Sequence, residues 1–414
     1  MKTKLVLWLL LFSSLSIFCQ GEAALPWLYL HPVSPSIGKG LTGVSNMEMD
    51  PLNWYYNPAK LAEFEGDRSF SFLFMPERAD WGIYGNTKYS SYGVKVGMDI
   101  SNYFNGIPLK LGIGFIRNSL DYGEFYVTSW ESPDGMKTNP VDAANNLGIG
   151  IGLDYKIRFS LGLTAKNYNS DFGSTYINGA LKDIEADGFA FDFGAFFYAP
   201  LSDLLFYDYN VRIDDHSYLK PLMDVSCGYS LLNVGGKVKY PYLEGEDPLP
   251  RNARLGYSFN LGINMNIREI ELNFMKYGFT AEADDILVQR NPDYTGYEYD
   301  NIFGKISIGK HLLGLNSDQE VAVHKGHSFS LFETVTVNSG IYDGRGYNNI
   351  KTNSYGISSR GISKLLDMLI ENNIVNWVTR HVVVEYYNIN MFVDTGLESN
   401  LKGISITLRN LWFN

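Results

Sequence analysis

Cysteine is almost absent from this 414-residue chain, which holds only Cys19 and Cys227. Cys19 falls in a stretch that reads as a cleaved leader, so a single thiol remains. No intrachain disulfide can then form, although export would permit one. Long apolar runs are missing as well. Beyond the leader no segment has the roughly 18 or more consecutive apolar residues of a membrane helix, which excludes a helical span. Positive charge is scarce: 34 Lys and Arg stand against 45 Asp and Glu, for a net charge of −11. That balance argues against a nucleic-acid partner. There is no Gly-x-Ser-x-Gly elbow, no His-Glu-x-x-His, no Cys-x-x-Cys and no complete P-loop, so the sequence predicts no enzyme and no cofactor. No Pro/Ser linker or charge block marks a boundary, which favours one large domain.

The amino terminus reads as an export signal over residues 1–23. Lys2 and Lys4 precede the apolar stretch Leu5 to Phe18, and Gly21-Glu22-Ala23 offers small residues for cleavage. A lipid anchor on Cys19 is disfavoured because the bulky Phe18 precedes it. Loss of Lys2, Lys4 and Glu22 takes the charge from −11 to −12.

The rest of the chain carries 41 Gly and 29 Tyr and alternates with period two. Leu147, Ile149, Ile151, Leu153 and Tyr155 are interleaved with Gly148, Gly150, Gly152, Asp154 and Lys156. One face is apolar and the other is tiny or charged. Large residues suit lipid and small ones a crowded lumen, the reverse of a soluble sandwich. The pattern recurs near 69–74, 92–99, 109–115, 159–166, 189–197, 223–229 and 254–261. It continues near 268–278, 302–309, 328–342, 352–360, 381–390 and 402–413. Membrane strands need roughly 9–11 residues each. The reading is therefore all-β: a transmembrane antiparallel β-barrel of about 14 strands over 67–414 in a cell outer membrane. Residues 24–66 form a separate N-terminal segment ahead of it.

Polar stretches at 132–146, 169–187, 201–219 and 284–300 read as outer loops, and Pro76 to Ala79 as a tight turn at the opposite end. Residues 362–374 have helical spacing, with Leu365, Leu366, Leu369 and Ile370 on one stripe. This short helix belongs at the barrel rim or the membrane surface. The last strand ends on Leu411-Trp412-Phe413-Asn414.

Alternation points Lys95, Asp99, Asp154, Lys156, Lys166, Asp192, Asp224 and Arg254 into the lumen. They either pair across strands or line a substrate path, because unpaired buried charge is costly. His324 and His327 read as a solvated loop pair rather than a metal site. Asp284, Asp285, Asp293, Glu298 and Asp300 read as a solvated acidic loop rather than a calcium site, so no metal ligands are assigned.

Residues 38–63 do not look like a strand. They contain Gly38, Gly40 and Gly43, then Asp50, then Trp54-Tyr55-Tyr56-Asn57-Pro58-Ala59-Lys60-Leu61-Ala62. Asn57-Pro58 is a turn-forming pair, and the glycines permit sharp bends in a narrow space. The segment is either a plug inside the barrel or an ordinary cap over it. Its glycine-rich start and aromatic-Asn-Pro-Ala-x-Leu-Ala tail resemble the N-terminal segment of the FadL/PorV superfamily. That superfamily includes long-chain fatty-acid transporters and the PorV/PorQ proteins of type IX secretion. Two later stretches lean towards the PorV side. One is Gly228-Tyr229-Ser230 through Gly236-Lys237 with Leu249-Pro250 through Gly256-Tyr257. The other is Ser339 to Asp343 with Thr352 to Ile357.

The resemblance implies a hatch that includes Gly38, Gly40, Gly43, Asp50, Asn57, Pro58 and Ala59. On the PorV side it implies export or surface attachment of cargo proteins, with secretion components and cargo signal domains bound by the outer loops. On the FadL side it implies a channel for long-chain fatty acids or other hydrophobic small molecules, with an apolar pocket beside the hatch. The sequence departs from the family in its abbreviated glycine-rich start and in the helix after residue 361.

Overall fold

In a computed structural model, the described residues are 23–80, 87–128, 135–177, 180–206, 209–242, 245–267, 270–291 and 296–411. Residues 1–22, where the leader is expected, and Trp412-Phe413-Asn414 lie outside them. Sixteen strands join one antiparallel sheet. Two of these are short loop strands, Ala79–Asp80 and Val211–Asp214, and the other fourteen close a barrel. In chain order the barrel strands are β1 (Arg68–Phe74), β2 (Lys88–Asp99), β3 (Leu109–Asp121), β4 (Val141–Asp154), β5 (Arg158–Ile177), β6 (Ala180–Ala199) and β7 (Ser217–Gly235). They continue as β8 (Asn252–Ile267), β9 (Ile270–Ile286), β10 (Val321–Leu331), β11 (Val335–Gly344), β12 (Tyr347–Ser358), β13 (Val382–Val393) and β14 (Ser399–Arg409). Every neighbour in sequence is a neighbour in space, and β1 pairs with β14 to seal the seam, Phe72 opposite Ile406. Closure leaves no unpaired edge, which a sheet in lipid requires.

Period-two alternation puts the large residues outside. Leu147 is 61% exposed and Phe189 likewise 61%, while Gly148 and Ala190 behind them are buried. Outward rows such as Ile113–Ile149–Leu163–Phe193 run across four strands. So broad an apolar surface on a closed barrel is a lipid-facing belt, and the chain spans a membrane with it. No helix among the described residues is long and apolar enough to cross a membrane.

The two ends differ. At the loop end the connections 75–87, 122–140, 236–251 and 287–320 are long, and β5 and β6 run 20 residues each to meet there. At the turn end lie 100–108, 155–157, 200–216, 332–334 and 359–381, together with the entry to β1 and the exit from β14. Several expectations change. Residues 201–219 sit at the turn end and include helix α1 (Leu201–Leu205) and the start of β7. Pro76 to Ala79 belongs to a long loop-end connection. Most of 169–187 is strand, as are 141–146. Residues 302–309 alternate but form no strand. Gly304 takes a left-handed backbone, and a π-helix runs from Ile308 to Leu313. The helical stripe near 362–374 is two helices, α2 (Arg360–Leu369) and α3 (Asn373–His381). Asn372 divides them by accepting the backbone N–H groups of Ile374 and Val375.

Candidate functional site

The lumen is filled by the chain's own N-terminal segment. Residues 33–46 and 50–64 are buried except for the half-exposed Leu41, and their contacts reach inner-wall positions all round the barrel. Gly38, Gly40, Gly43, Asp50, Asn57, Pro58 and Ala59 all lie in this packed region.

Residues 54–62 rest on the glycine face of β3 to β7. A Cβ added at Gly114 would fall 2.7 Å from the Trp54 ring, and one at Gly148 would fall 2.7 Å from the Leu61 side chain. Gly112 abuts the Leu61 carbonyl and Gly162 abuts Pro58. The small residues of the alternation are therefore the space the segment occupies. Asn57 fastens it: its Oδ1 accepts the Ala59 N–H at 3.1 Å, while its amide donates to the carbonyls of Val44 (3.0 Å) and of Ala195 on β6 (2.9 Å). Lys95 on β2 donates to the carbonyls of Lys60 (2.8 Å) and Glu63 (2.6 Å). The Glu63 carboxylate in turn accepts from Arg158 and Ser160, both at 2.8 Å.

Residues 38–46 are held by the opposite wall. Glu282 on β9 accepts the N–H groups of Gly43 (3.0 Å), Val44 (2.7 Å) and Ser45 (3.0 Å). Arg254 on β8 donates to the Leu41 carbonyl at 2.8 Å and lies 3.4 Å from Glu282. Gly40, at φ +72°, donates its N–H to Thr352 at 2.8 Å, and its carbonyl lies 2.6 Å from His324 Nδ1. Asp284 gathers His324 (3.2 Å), Arg345 (2.5 Å) and Arg254 (3.9 Å) beside this contact.

Of the residues expected in the lumen, the structure buries Lys95, Lys166, Asp192, Asp224 and Arg254. Lys166 and Asp192 pair at 2.9 Å, and Asp224 accepts from Asn260 at 2.6 Å. Three sit elsewhere. Lys156 is exposed in the turn 155–157, Asp154 is at the rim with Lys110 and Arg158, and Asp99 caps the turn at Ser101. His324 and Asp284 are buried strand residues, not solvated loop residues, and Asp285 is buried beside them and accepts the Lys305 N–H. His327 points outward against Tyr277. Glu282, His324 and Arg345 were not legible as a cluster, because nothing in the sequence reports the register that unites them. Among the described residues no group of His, Cys, Asp and Glu is arranged to hold a metal ion.

The lumen differs from side to side as well as along its length. Towards the loop end Trp27, Leu28, Val33, Ile37 and Leu52 pack with the wall residues Leu73, Ile116, Leu120 and Leu401 and the loop residues Val238 and Leu249 in one apolar cluster. Towards the turn end a chamber of about 500 Å3 opens beneath the segment, lined by Met47, Met49, Asp50, Lys276, Glu333 and Arg360 among others. The open space is thus mixed and charged, and the apolar space is occupied by the chain itself. That departs from the apolar pocket beside the hatch expected on the FadL side. Asp50 stands on the boundary, accepting from the Ser34 hydroxyl and from the Leu52 N–H at 2.9 Å. Burial pushes its carboxyl up to about 6. Burial also brings the Lys60 ammonium down to about 7, although it donates to Gly43 O (2.8 Å) and Asn46 (2.6 Å).

No family model and no curated protein matches this sequence. Solved structures of similar shape include the toluene transporter TbuX of Ralstonia pickettii, with TM-score 0.44 and 11% identity over 92% of this chain and 99% of that one. The monoaromatic hydrocarbon channel CymD matches at TM-score 0.44 and 10% identity, with 92% and 99% covered. A FadL homologue from Pseudomonas aeruginosa matches at TM-score 0.39 and 9% identity, with 92% and 98% covered.

Proposed function

We propose that this protein is an outer-membrane channel that lets small hydrophobic molecules pass, chemically unchanged, when its N-terminal segment shifts. One observation carries this reading. At the loop end, on the β1, β3 and β14 side, the lumen holds an apolar cluster in which Trp27, Leu28, Val33, Ile37 and Leu52 of the N-terminal segment pack against Leu73, Ile116, Leu120 and Leu401 of the wall, while the β8 to β11 side carries the buried charges Arg254, Glu282, Asp284 and His324. A water-filled pore has no need of an apolar throat, and a purely structural barrel would be filled by its own wall residues. The segment is anchored by hydrogen bonds and ion pairs at discrete points and by the packing of Trp54 and Leu61 on the glycine wall, and on this reading it shifts as a unit between a seated and a displaced position.

The secretion-assisting role is the competing reading. It is favoured by the loop-end hairpins Phe125–Val127 with Met136–Thr138, Lys237–Val238 with Asp247–Pro248, and Val288–Arg290 with Tyr297–Tyr299, which build an ordered outer surface.

The test is uptake of a radiolabelled aromatic hydrocarbon and of a long-chain fatty acid by cells whose only such channel is this protein. Saturable uptake of either one supports the channel. No uptake, together with a secreted protein co-purifying stoichiometrically in mild detergent, replaces it with the secretion-assisting role.

A further inference from the structure

The two helices between β12 and β13 present an apolar face that none of the described residues covers. Leu369 is 74% exposed, Ile374 76% and Trp377 54%. Their polar faces, in contrast, are committed to the barrel rim. Arg360 binds Glu385 at 2.9 Å and also Glu65, and Lys364 binds Glu333 at 2.8 Å. Arg380 pairs with Asp367 across the hairpin at 2.9 Å, and its carbonyl accepts from Arg409 at 3.0 Å. The hairpin is therefore fixed in one orientation, apolar side out.

We propose that the α2–α3 hairpin lies on the membrane leaflet at the turn end, with Leu369, Ile374 and Trp377 immersed among the lipids. The occupant follows from continuity. Helix α3 runs without a break into β13, whose outward Val384 faces lipid beside Ile406 of β14 and Phe72 of β1. The apolar face therefore borders the belt. An indole at the rim of such a belt is where interfacial tryptophan resides, and an amphipathic helix of this kind rests with its apolar side at the headgroup–acyl boundary. At ten and nine residues the helices are each roughly 13–15 Å long, far too short to span.

The experiment places a nitroxide on Ile374→Cys in a Cys227→Ser background, reconstitutes the full mature protein in phosphatidylethanolamine/phosphatidylglycerol vesicles, and measures collision rates with oxygen and with a nickel chelate. The same label on Leu369→Cys repeats the measurement, and one on Thr395→Cys at the loop end serves as the aqueous reference. Both native residues at the test positions are largely exposed, so the barrel tolerates the changes. Oxygen accessibility several-fold above nickel accessibility at 369 and 374, with the reverse at 395, is the expected result. Nickel accessibility at 374 equal to that at 395 overturns the proposal. Dipolar broadening between labels on separate copies also overturns it, in favour of a dimer face. Neither result bears on uptake, so the channel reading stands or falls separately.

Discussion

Glu282 receives the Val44 backbone N–H at 2.7 Å, and this carboxylate also collects the N–H groups of Gly43 and Ser45. Three consecutive amides converge on one buried anion, with Arg254 supplying the countercharge. Charge-assisted hydrogen bonds of this kind are roughly twice as strong as neutral ones. Removing one partner of a buried charged pair costs about 3–5 kcal/mol. Glu282→Ala is therefore expected to free residues 38–46 from the wall, raising single-channel conductance and opening the segment to protease. Glu282→Gln, which keeps an acceptor, should show a smaller effect. Wild-type conductance in Glu282→Ala would show that the glycine wall alone holds the segment.

The glycine wall gives a complementary prediction. Gly114→Val and Gly148→Val each drive a side chain into Trp54 or Leu61. Overpacking costs about 1–3 kcal/mol per site. The barrel should still assemble, because β3 and β4 keep their ladder, but the segment should be displaced and the open-channel fraction in planar bilayers should rise. Gly236→Val meets nothing within 4 Å and should behave as wild type.

Seating of the segment should depend on pH through Asp50. Its carboxyl titrates at about 6 when seated, against 3.8 as a free group, and burial is the main cause. A raised acid favours the protonated form in the seated state. Its contribution is therefore fully present below about pH 4 and is lost as pH rises through about 6. The shift corresponds to roughly 3 kcal/mol. Conductance should rise between pH 4 and 7 and change less over that window in Asp50→Asn. An unchanged profile in Asp50→Asn would remove this residue from the account.

Lys166 and Asp192 offer a double-mutant cycle. The pair is fully buried, and Lys166 also donates to Asn233 at 2.7 Å. Lys166→Met alone should lower the denaturant midpoint by an amount equivalent to about 3–5 kcal/mol, because Asp192 is left buried and unpaired. Lys166→Met with Asp192→Leu should recover most of it. Additive losses in the double variant would argue against the pair.

The fold was legible where the signal is local. Small and large residues alternating at 147–156 mark one strand with a lumen face and a lipid face, and repeating that mark along the chain yields a barrel. The same rule overran at the turns: extending the alternation by two residues carried Lys156 into the lumen, when the chain had already reversed at Tyr155. The site was legible only in part. Asn57-Pro58-Ala59 announces a bend by its own chemistry. The acids Asp284 and Asp285, followed by polar residues to Asp300, look like a loop until the register of β9 against β8 and β10 places Asp284 beside Arg254 and His324. Asn372 shows how a single cap divides what composition reads as one helix.

The wide spread of the segment's anchors has a consequence for biogenesis. Gly40 hydrogen-bonds Thr352, 312 residues away, and Asn57 reaches Ala195. The N-terminal part of the chain therefore has no complete docking surface until nearly the last strand has been laid down. It must wait, with Trp54 and Tyr56 unburied, while the wall is built around the space it will fill. Its apolar side chains stay exposed through that interval, and the barrel is completed from its beginning only after it has been closed at its end.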